Sequence, residues 1–269
     1  MKLETQCLHA GYQPEATTNA CAVPLYKTSS FVFNSTEHAA NLFGLRELGN
    51  IYTRLMNPTT DVLEQRVAAL EGGAAGLGIA SGTSAVFYSI INLAQSGDNI
   101  VSANNLYGGT YTQFKDILPK FGIDVQFVDP NDPQNFAAAI NPKTKALFCE
   151  TVSNPGLDVA DLAAIAAIAA DNGIPLIVDS TFSTPYLTNP IEHGASVVIH
   201  SLTKWLGGHG NGIGGVVIDS GTFDWKNGNF PLYDEPDPSY HGLRWGHDLP
   251  EPLAPLAYIL RMRTGPLRN

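Results

Sequence analysis

Residues 197–204, Val-Val-Ile-His-Ser-Leu-Thr-Lys, pass from apolar to hydroxyl-bearing to cationic side chains. The pattern predicts a buried strand that ends by placing one amine, that of Lys204, at the edge of a pocket. A lysine placed in this way can lose its proton and attack a carbonyl carbon. A surface position is the plain alternative for any lysine. Lys204 departs from it because it follows an apolar run and precedes a glycine-rich one, GGHG at 207–210.

The composition of the chain narrows the possible partners and compartments. Its 269 residues are 44% hydrophobic, which is enough for one large domain with a sizeable core, alone or with a fragment of a second. The net charge of −10 disfavours nucleic acid and anionic membranes as partners. Three widely spaced cysteines and seven histidines without metal spacing predict no disulfide framework and no metal, and they favour a cytoplasmic location. There is no run of ~18 apolar residues and no apolar signal-peptide core.

Short apolar runs alternate with helical patterns from about residue 61 onward. The candidate strands are 77–80, 99–102, 124–128, 146–150, 176–179, 196–200 and 214–218, and the helical patterns are 83–95, 109–121, 133–140 and 162–172. This alternation predicts an α/β fold with a mostly parallel sheet. Ligands of such sheets bind beyond the carboxyl ends of the strands, where Asp179 and residues 201–204 are expected.

The sequence divides into three segments. Residues 1–60 show little periodicity and predict an arm with one short helix near 37–47. Residues 61–254 form the predicted large domain, which opens with a helix capped by Asp61 and ended by Gly72 and Gly73, and which closes with a loop-rich stretch at 227–255. Residues 255–269 predict the start of another helix.

Asp179 follows the apolar residues 176–178 directly. A turn or helix-cap aspartate is the plain alternative. The functional interpretation is a carboxylate that faces a bound cation, and a pyridine nitrogen needs such a partner to stay protonated and accept electrons. Lys204 and Asp179 together therefore predict pyridoxal phosphate as the cofactor, since each residue suits one part of that molecule.

A phosphate group needs donors, and residues 81–84, Ser-Gly-Thr-Ser, lie between a predicted strand and a predicted helix. Gly82 lets the backbone approach closely, and the helix N-terminus at Thr83 offers free N–H groups. An ordinary helix cap is an equal alternative. Ser201 and Thr203 are candidate hydroxyl donors.

Three further residues are candidates for the site. Tyr107 precedes two glycines and suits stacking on a flat ring, although a packed core tyrosine is an even alternative. Tyr52 and Arg54 lie in the arm, where Arg54 is either a surface charge or part of an anion clamp, which another subunit could use.

Six segments of the chain, in order, resemble the Cys/Met-metabolism family of pyridoxal-phosphate enzymes, which has the aspartate-aminotransferase fold (fold type I). They are YTRLMNPTTDVLEQRVAALEGG (52–73), SGTSA (81–85), LYGGTY (106–111), ETVSNPGLDVADL (150–162), IVDSTFSTPYL (177–187) and VVIHSLTKWLGGHG (197–210). The middle residue of Asp179-Ser180-Thr181 is more often Asn in that family.

The resemblance implies a role for each matching residue. Lys204 corresponds to the lysine that forms a Schiff base with the cofactor, Asp179 to the partner of the pyridinium nitrogen, and Tyr107 to the ring-stacking tyrosine that assists the leaving group. The resemblance also implies that the phosphate is bound by the backbone of Gly82 and Thr83 and by the hydroxyls of Ser201 and Thr203. It implies that Tyr52 and Arg54 form a phosphate clamp for the site of a neighbouring subunit. Asn154 corresponds to an asparagine near the cofactor's phenolic oxygen and the substrate carboxylate.

Three segments, GNIYTRLMNPT (49–59), GHGNGIGG (208–215) and DPSYHG (237–242), resemble the O-acetylhomoserine sulfhydrylase branch of the family. The resemblance implies γ-replacement, O-acetylhomoserine and sulfide giving homocysteine and acetate, in methionine and cysteine biosynthesis. Cystathionine γ-synthase, γ-lyase and O-succinylhomoserine sulfhydrylase share the same site residues and stay open. A chain that binds the cofactor without turnover is an alternative of another class. A nicotinamide-dinucleotide binder is disfavoured because no G-x-G-x-x-G follows the first strand.

The family also has a C-terminal domain that supplies an arginine for the substrate α-carboxylate. Arg261, Arg263 and Arg268 do not match the motif of that arginine, so we expect this small domain to be absent from the sequence. The resemblance further implies a homotetramer built from dimers that share their active sites.

Overall fold

The structure is a computed structural model that describes residues 1–266, and a seven-stranded sheet forms its centre. The strands are β1 (Ala75–Ile79), β2 (Asn99–Ala103), β3 (Asp124–Val128), β4 (Thr144–Glu150), β5 (Leu176–Asp179), β6 (Val197–Ser201) and β7 (Gly215–Asp219). Their order in the sheet is β1-β7-β6-β5-β4-β2-β3, and β7 runs in the direction opposite to the other six strands. The prediction of an α/β fold with a mostly parallel, mixed sheet is confirmed.

Helices cover the sheet, and its central strands are almost wholly buried, as parallel strands covered on both faces must be. The helices are α1 (Leu3–His9), α2 (Thr36–Phe43), α3 (Pro58–Glu71), α4 (Gly82–Ile91), α5 (Gly108–Thr112), α6 (Gln134–Ala139), α7 (Leu162–Asp171), α8 (Thr184–Leu187), α9 (Pro231–Asp234) and α10 (Ala257–Thr264). Residues 1–266 contain no helix long and apolar enough to cross a membrane, and no group of three or more His, Cys, Asp or Glu residues that could hold a metal ion.

The predicted cap of the first long helix is wrong. Asn57, not Asp61, is the N-cap of α3, and its Oδ1 accepts a hydrogen bond of 2.9 Å from the Thr59 N–H. Pro58 occupies the first helical position, because its fixed φ suits that position and its missing N–H is not needed there. Gly72 ends the helix as predicted, with a left-handed φ of 72°.

The arm contains a helix that the sequence did not indicate, α1, which is too short to show a clear period. It packs on α3, and the Arg66 Nε donates a hydrogen bond of 2.9 Å to the Ala10 carbonyl. Residues 60 and 61 both lie inside α3, so the limit between arm and large domain does not fall between two elements. The division into 1–60, 61–254 and 255–269 stays a proposal.

The helix predicted at 109–121 is not one regular helix. After α5 the chain continues as a π-helix at Gln113–Ile117 and a 3-10 helix at Leu118–Phe121. Pro119 has no N–H to donate, so a regular α-helical ladder cannot run through this point. The other predicted strands and helices lie within a few residues of the observed ones.

The stretch predicted as loop, 227–255, is irregular but firmly packed. Trp225 stacks between Tyr233 and Tyr258, with ring-centroid distances of 4.7 and 4.8 Å. Trp245 and Phe230 are also buried there. This aromatic cluster joins the irregular stretch to α10 through Tyr258. The helix predicted from residue 255 is confirmed, since α10 follows directly after a 3-10 turn at Ala254–Leu256. Arg268 lies outside the described residues.

Candidate active site

A cleft of about 580 Å³ opens where β4, β5 and β6 end, at the carboxyl edge of the parallel strands. Chain segments far apart in sequence meet there because parallel strands end at the same edge. Eight of the ten predicted site residues line this cleft: Gly82, Thr83, Tyr107, Asn154, Asp179, Ser201, Thr203 and Lys204.

Lys204 lies in the turn three residues beyond the end of β6. Its side chain is exposed in the cleft rather than buried in the sheet. The Lys204 backbone N–H donates a hydrogen bond to the Ser201 carbonyl at 3.2 Å, which fixes the turn that follows the strand. The strand therefore brings the amine to the cleft edge, as its apolar approach predicts.

Asp179 is the last residue of β5 and is partly buried. Its Oδ1 accepts a hydrogen bond of 2.9 Å from the Thr181 N–H. Burial raises the pKa of the Asp179 carboxyl, while the hydrogen bonds from Thr181 and the nearby His200 oppose that rise. A positively charged group beside this carboxyl would favour its ionised form, so the site fits a protonated ring nitrogen.

The start of α4 contacts the end of β6. The Ser81 side chain caps α4 by accepting a hydrogen bond of 3.0 Å from the Ser84 N–H. A Cβ atom at Gly82 would lie 2.6 Å from the Ser201 Cβ, so only glycine allows this approach. A helix N-terminus beside the Ser201 hydroxyl suits an anion such as a phosphate group.

Thr203 lines the cleft, but its hydroxyl already has partners. It accepts a hydrogen bond of 3.2 Å from the Gly214 N–H and donates one of 3.3 Å to the Gly214 carbonyl. These contacts join the residue before Lys204 to the residue before β7. Phosphate binding by the Thr203 hydroxyl stays a prediction.

Tyr107 is the N-cap residue of α5, and its ring lies over the first turn of that helix, next to Gly109. The side chain is 48% exposed and faces the cleft, so the alternative of a packed core tyrosine is wrong. Its backbone N–H donates a hydrogen bond of 2.7 Å to Glu150.

Glu150 is a cleft residue that we did not single out from the sequence. It ends β4, is only 7% exposed and pairs with Asp179 across the parallel strands. Burial, and then the negative charge of Asp179, raise the pKa of the Glu150 carboxyl to about 8. Its position in the sequence could have identified Glu150 as a site candidate, because Glu150 ends an apolar run as Asp179 does.

Tyr52 and Arg54 are the two predicted residues that do not line the cleft. The Arg54 guanidinium lies over the Tyr52 ring, 5.8 Å from its centroid. Tyr52 is 44% exposed, and the buried Arg54 Nη1 has no hydrogen-bond partner among residues 1–266. Their role in the site of a neighbouring subunit stays a prediction.

Comparisons with known proteins show which family the chain belongs to. The family described as Cys/Met metabolism PLP-dependent enzyme matches residues 4–234. An O-acetyl-L-homoserine sulfhydrylase of Leptospira meyeri is 54% identical over 272 residues, covering 100% of this chain and 62% of its own length. O-acetyl-L-homoserine sulfhydrylase 1 of Thermus thermophilus is 52% identical over 271 residues, covering 100% of this chain and 63% of its own.

A solved structure is also similar, that of a putative O-acetylhomoserine (thiol)-lyase from Campylobacter jejuni. Its TM-score is 0.88 at 40% identity, covering 98% of this chain and 70% of that one, and it contains N'-pyridoxyl-lysine-5'-monophosphate. The chain spans about three fifths of the length of the two curated relatives. From its fold, its cleft and these matches, the chain belongs to the Cys/Met-metabolism family of pyridoxal-phosphate-dependent enzymes.

Proposed function

We propose that this chain binds pyridoxal phosphate through Lys204 and forms the cofactor-binding part of an O-acetylhomoserine sulfhydrylase. The observation that carries the proposal is that Lys204, Asp179 and Tyr107 line one cleft in a member of this family. The reaction is γ-replacement, in which sulfide displaces acetate from O-acetylhomoserine and homocysteine is formed.

The residues of the cleft fit the two ends of the cofactor. The start of α4, with Gly82 and Thr83, and the Ser201 hydroxyl would hold the phosphate group. The Asp179 carboxylate would hold the ring nitrogen in its protonated form, and the positive charge of that ring would in turn favour the ionised carboxyl, which burial alone disfavours. The Lys204 amine would hold the cofactor covalently.

When bound, pyridoxal phosphate supplies an electron sink for the negative charge that develops on the substrate carbons. The chain's own residues would do the rest. Lys204 would move protons at Cα and Cβ of the substrate, since its amine is the exposed base of the cleft. Tyr107 would stack on the ring and assist the departure of acetate from Cγ. Asn154 would bind near the phenolic oxygen and the substrate carboxylate.

The choice of O-acetylhomoserine and sulfide rests on the names of the similar proteins and on the segment 208–215. Gly208, Gly210 and Ile213 of that segment line the cleft. Segment 237–242 lies elsewhere, beside Trp245, whose indole N–H donates a hydrogen bond of 2.8 Å to Asp237. The family resemblance implies the same cleft residues for cystathionine γ-synthase, γ-lyase and O-succinylhomoserine sulfhydrylase, so a product assay with sulfide against cysteine must separate them.

The assembly and the location of the whole protein are part of the proposal. Tyr52 and Arg54 lie outside the cleft of their own chain, which supports a dimer that shares its sites, and two such dimers would form a homotetramer. The cysteines at 7, 21 and 149 are free, which supports a reducing, cytoplasmic compartment.

Absorption spectroscopy tests cofactor binding. The purified protein with pyridoxal phosphate should show the visible band of lysine-bound cofactor, and Lys204→Ala should lose it. Lys120→Ala is the matched control, because Lys120 is exposed and lies outside the cleft. A Lys204→Ala protein that kept the band would refute the assignment. With the full-length protein, O-acetylhomoserine and sulfide should then yield homocysteine, and absence of this product would refute the proposed reaction.

A further inference from the structure

Glu150 connects two segments of the cleft that are far apart in sequence. Its Oε1 accepts a hydrogen bond of 2.7 Å from the Tyr107 N–H, at the start of α5. Its Oε2 accepts one of 3.2 Å from the Asn154 N–H, in the turn that follows β4. One buried carboxylate therefore serves two donors, each of which belongs to a residue that lines the cleft.

We propose that Glu150 is a positioning residue of the cofactor site, holding the backbones of Tyr107 and Asn154 together so that both side chains face the bound cofactor. This inference rests on the proposed function. Glu150 acts through its two neighbours, so its effect is on how well they are placed.

The geometry specifies a carboxylate at this position. A carboxylate has two acceptor oxygens, whereas an amide of the same shape has one acceptor and an NH₂ group that donates. Glutamine could therefore serve Tyr107 or Asn154 but not both, and its NH₂ would face the remaining N–H. Aspartate keeps the charge, but it is one methylene shorter and cannot reach both donors from the end of β4.

Two further features of the site disfavour the ionised form of the Glu150 carboxyl. The side chain is 7% exposed, and its strand neighbour is Asp179, a second carboxylate on the same face of the sheet. Burial and this neighbour both raise the pKa of Glu150, and the two N–H donors lower it. A cation bound beside Asp179 would reduce the repulsion between the carboxylates and so favour the charged form that binds both donors most strongly.

The first test measures the dissociation constant for pyridoxal phosphate by absorbance titration of wild type, Glu150→Gln and Glu150→Asp. We expect each variant to bind at least ~10-fold more weakly, since one charge-assisted hydrogen bond is lost. Asp219→Asn is the matched control. It makes the same carboxylate-to-amide change in the same sheet, at the end of β7 away from the cleft, and should keep the wild-type affinity.

The second test is amide hydrogen exchange on the same proteins, which reads the two N–H groups directly. Glu150→Gln should speed exchange at Tyr107 or at Asn154 while amides of β4 and β5 keep their protection. If Glu150→Gln does not fold, Glu150→Asp supplies both measurements. A folded variant with wild-type affinity and wild-type exchange at both amides would overturn the inference. If wild type itself shows no Lys204-dependent band, the proposed function fails instead, so the two failures are distinguishable.

Discussion

Gly82→Ala is the sharpest test of how the cleft is built. A Cβ atom at residue 82 would lie 2.6 Å from the Ser201 Cβ and 2.9 Å from its Oγ. Ordinary carbon–carbon contacts are about 3.5–4.0 Å, so α4 and the end of β6 must separate by about 1 Å. Overpacking of this kind costs about 1–3 kcal/mol, and the higher helix propensity of alanine offsets at most about 1 kcal/mol of it. We expect a net loss of about 1–2 kcal/mol.

In a domain of this size such a loss lowers Tm by about 2–6 °C. The same displacement separates the helix N-terminus from the Ser201 hydroxyl, the two groups proposed to hold the phosphate. Affinity for pyridoxal phosphate should therefore fall by ~10-fold or more, which corresponds to about 1.4 kcal/mol. Differential scanning fluorimetry and absorbance titration measure the two effects.

Gly108→Ala is the matched control for this substitution. Gly108 is also the first residue of a helix beside the cleft, but a Cβ there would meet nothing within 4 Å. Its stability should equal that of wild type or exceed it by at most about 1 kcal/mol, through the higher helix propensity of alanine, and its cofactor affinity should be unchanged. If Gly82→Ala matched Gly108→Ala in both Tm and affinity, the close approach of α4 to Ser201 would not matter and the reasoning would be refuted.

Two further predictions concern the rest of the fold. Trp225→Ala should cost about 3–5 kcal/mol in urea denaturation, because it empties the space between Tyr233 and Tyr258, whereas Trp225→Phe should cost less; equal stability of the alanine variant and wild type would contradict this. Burial raises the pKa of Asp219 from 3.8 to about 7, so the folded state binds a proton more tightly than the unfolded state does. The resulting stability is complete below pH 3.8 and is lost as pH rises to about 7. Asp219→Asn should therefore gain stability relative to wild type as pH rises from about 5 to about 8, and a constant difference would contradict the shift.

Much of the fold followed from local patterns. Apolar runs bounded by turn residues located all seven strands, and 124–128 and 176–179 match the observed bounds. Patterns failed where a neighbouring residue decided the outcome. Pro58 moved the helix start to Asn57, and Pro119 interrupted the helix predicted at 109–121.

The sequence predicted several cleft residues that lie at the end of a parallel strand or at the start of a helix. Lys204 and Asp179 were expected at the same sheet edge, and both line the cleft. Glu150 was missed because its importance comes from the Tyr107 N–H, 43 residues away, and no local pattern records such a contact. The hydrogen bond from the Gly214 N–H to the Thr203 hydroxyl could not be predicted from the sequence for the same reason.

The sequence by itself determined the α/β class, the edge at which the cleft lies, and the amine of Lys204 and the carboxylate of Asp179 that line it. These properties depend on residue order along strands and on the rule that parallel strands end at one edge. Only the tertiary structure decided which backbone groups Glu150 joins, how closely Gly82 approaches Ser201, and how the aromatic cluster fixes the irregular stretch before α10. Such contacts join segments that are distant in sequence. The packing of the whole core sets the distances between these segments to within a few tenths of an ångström.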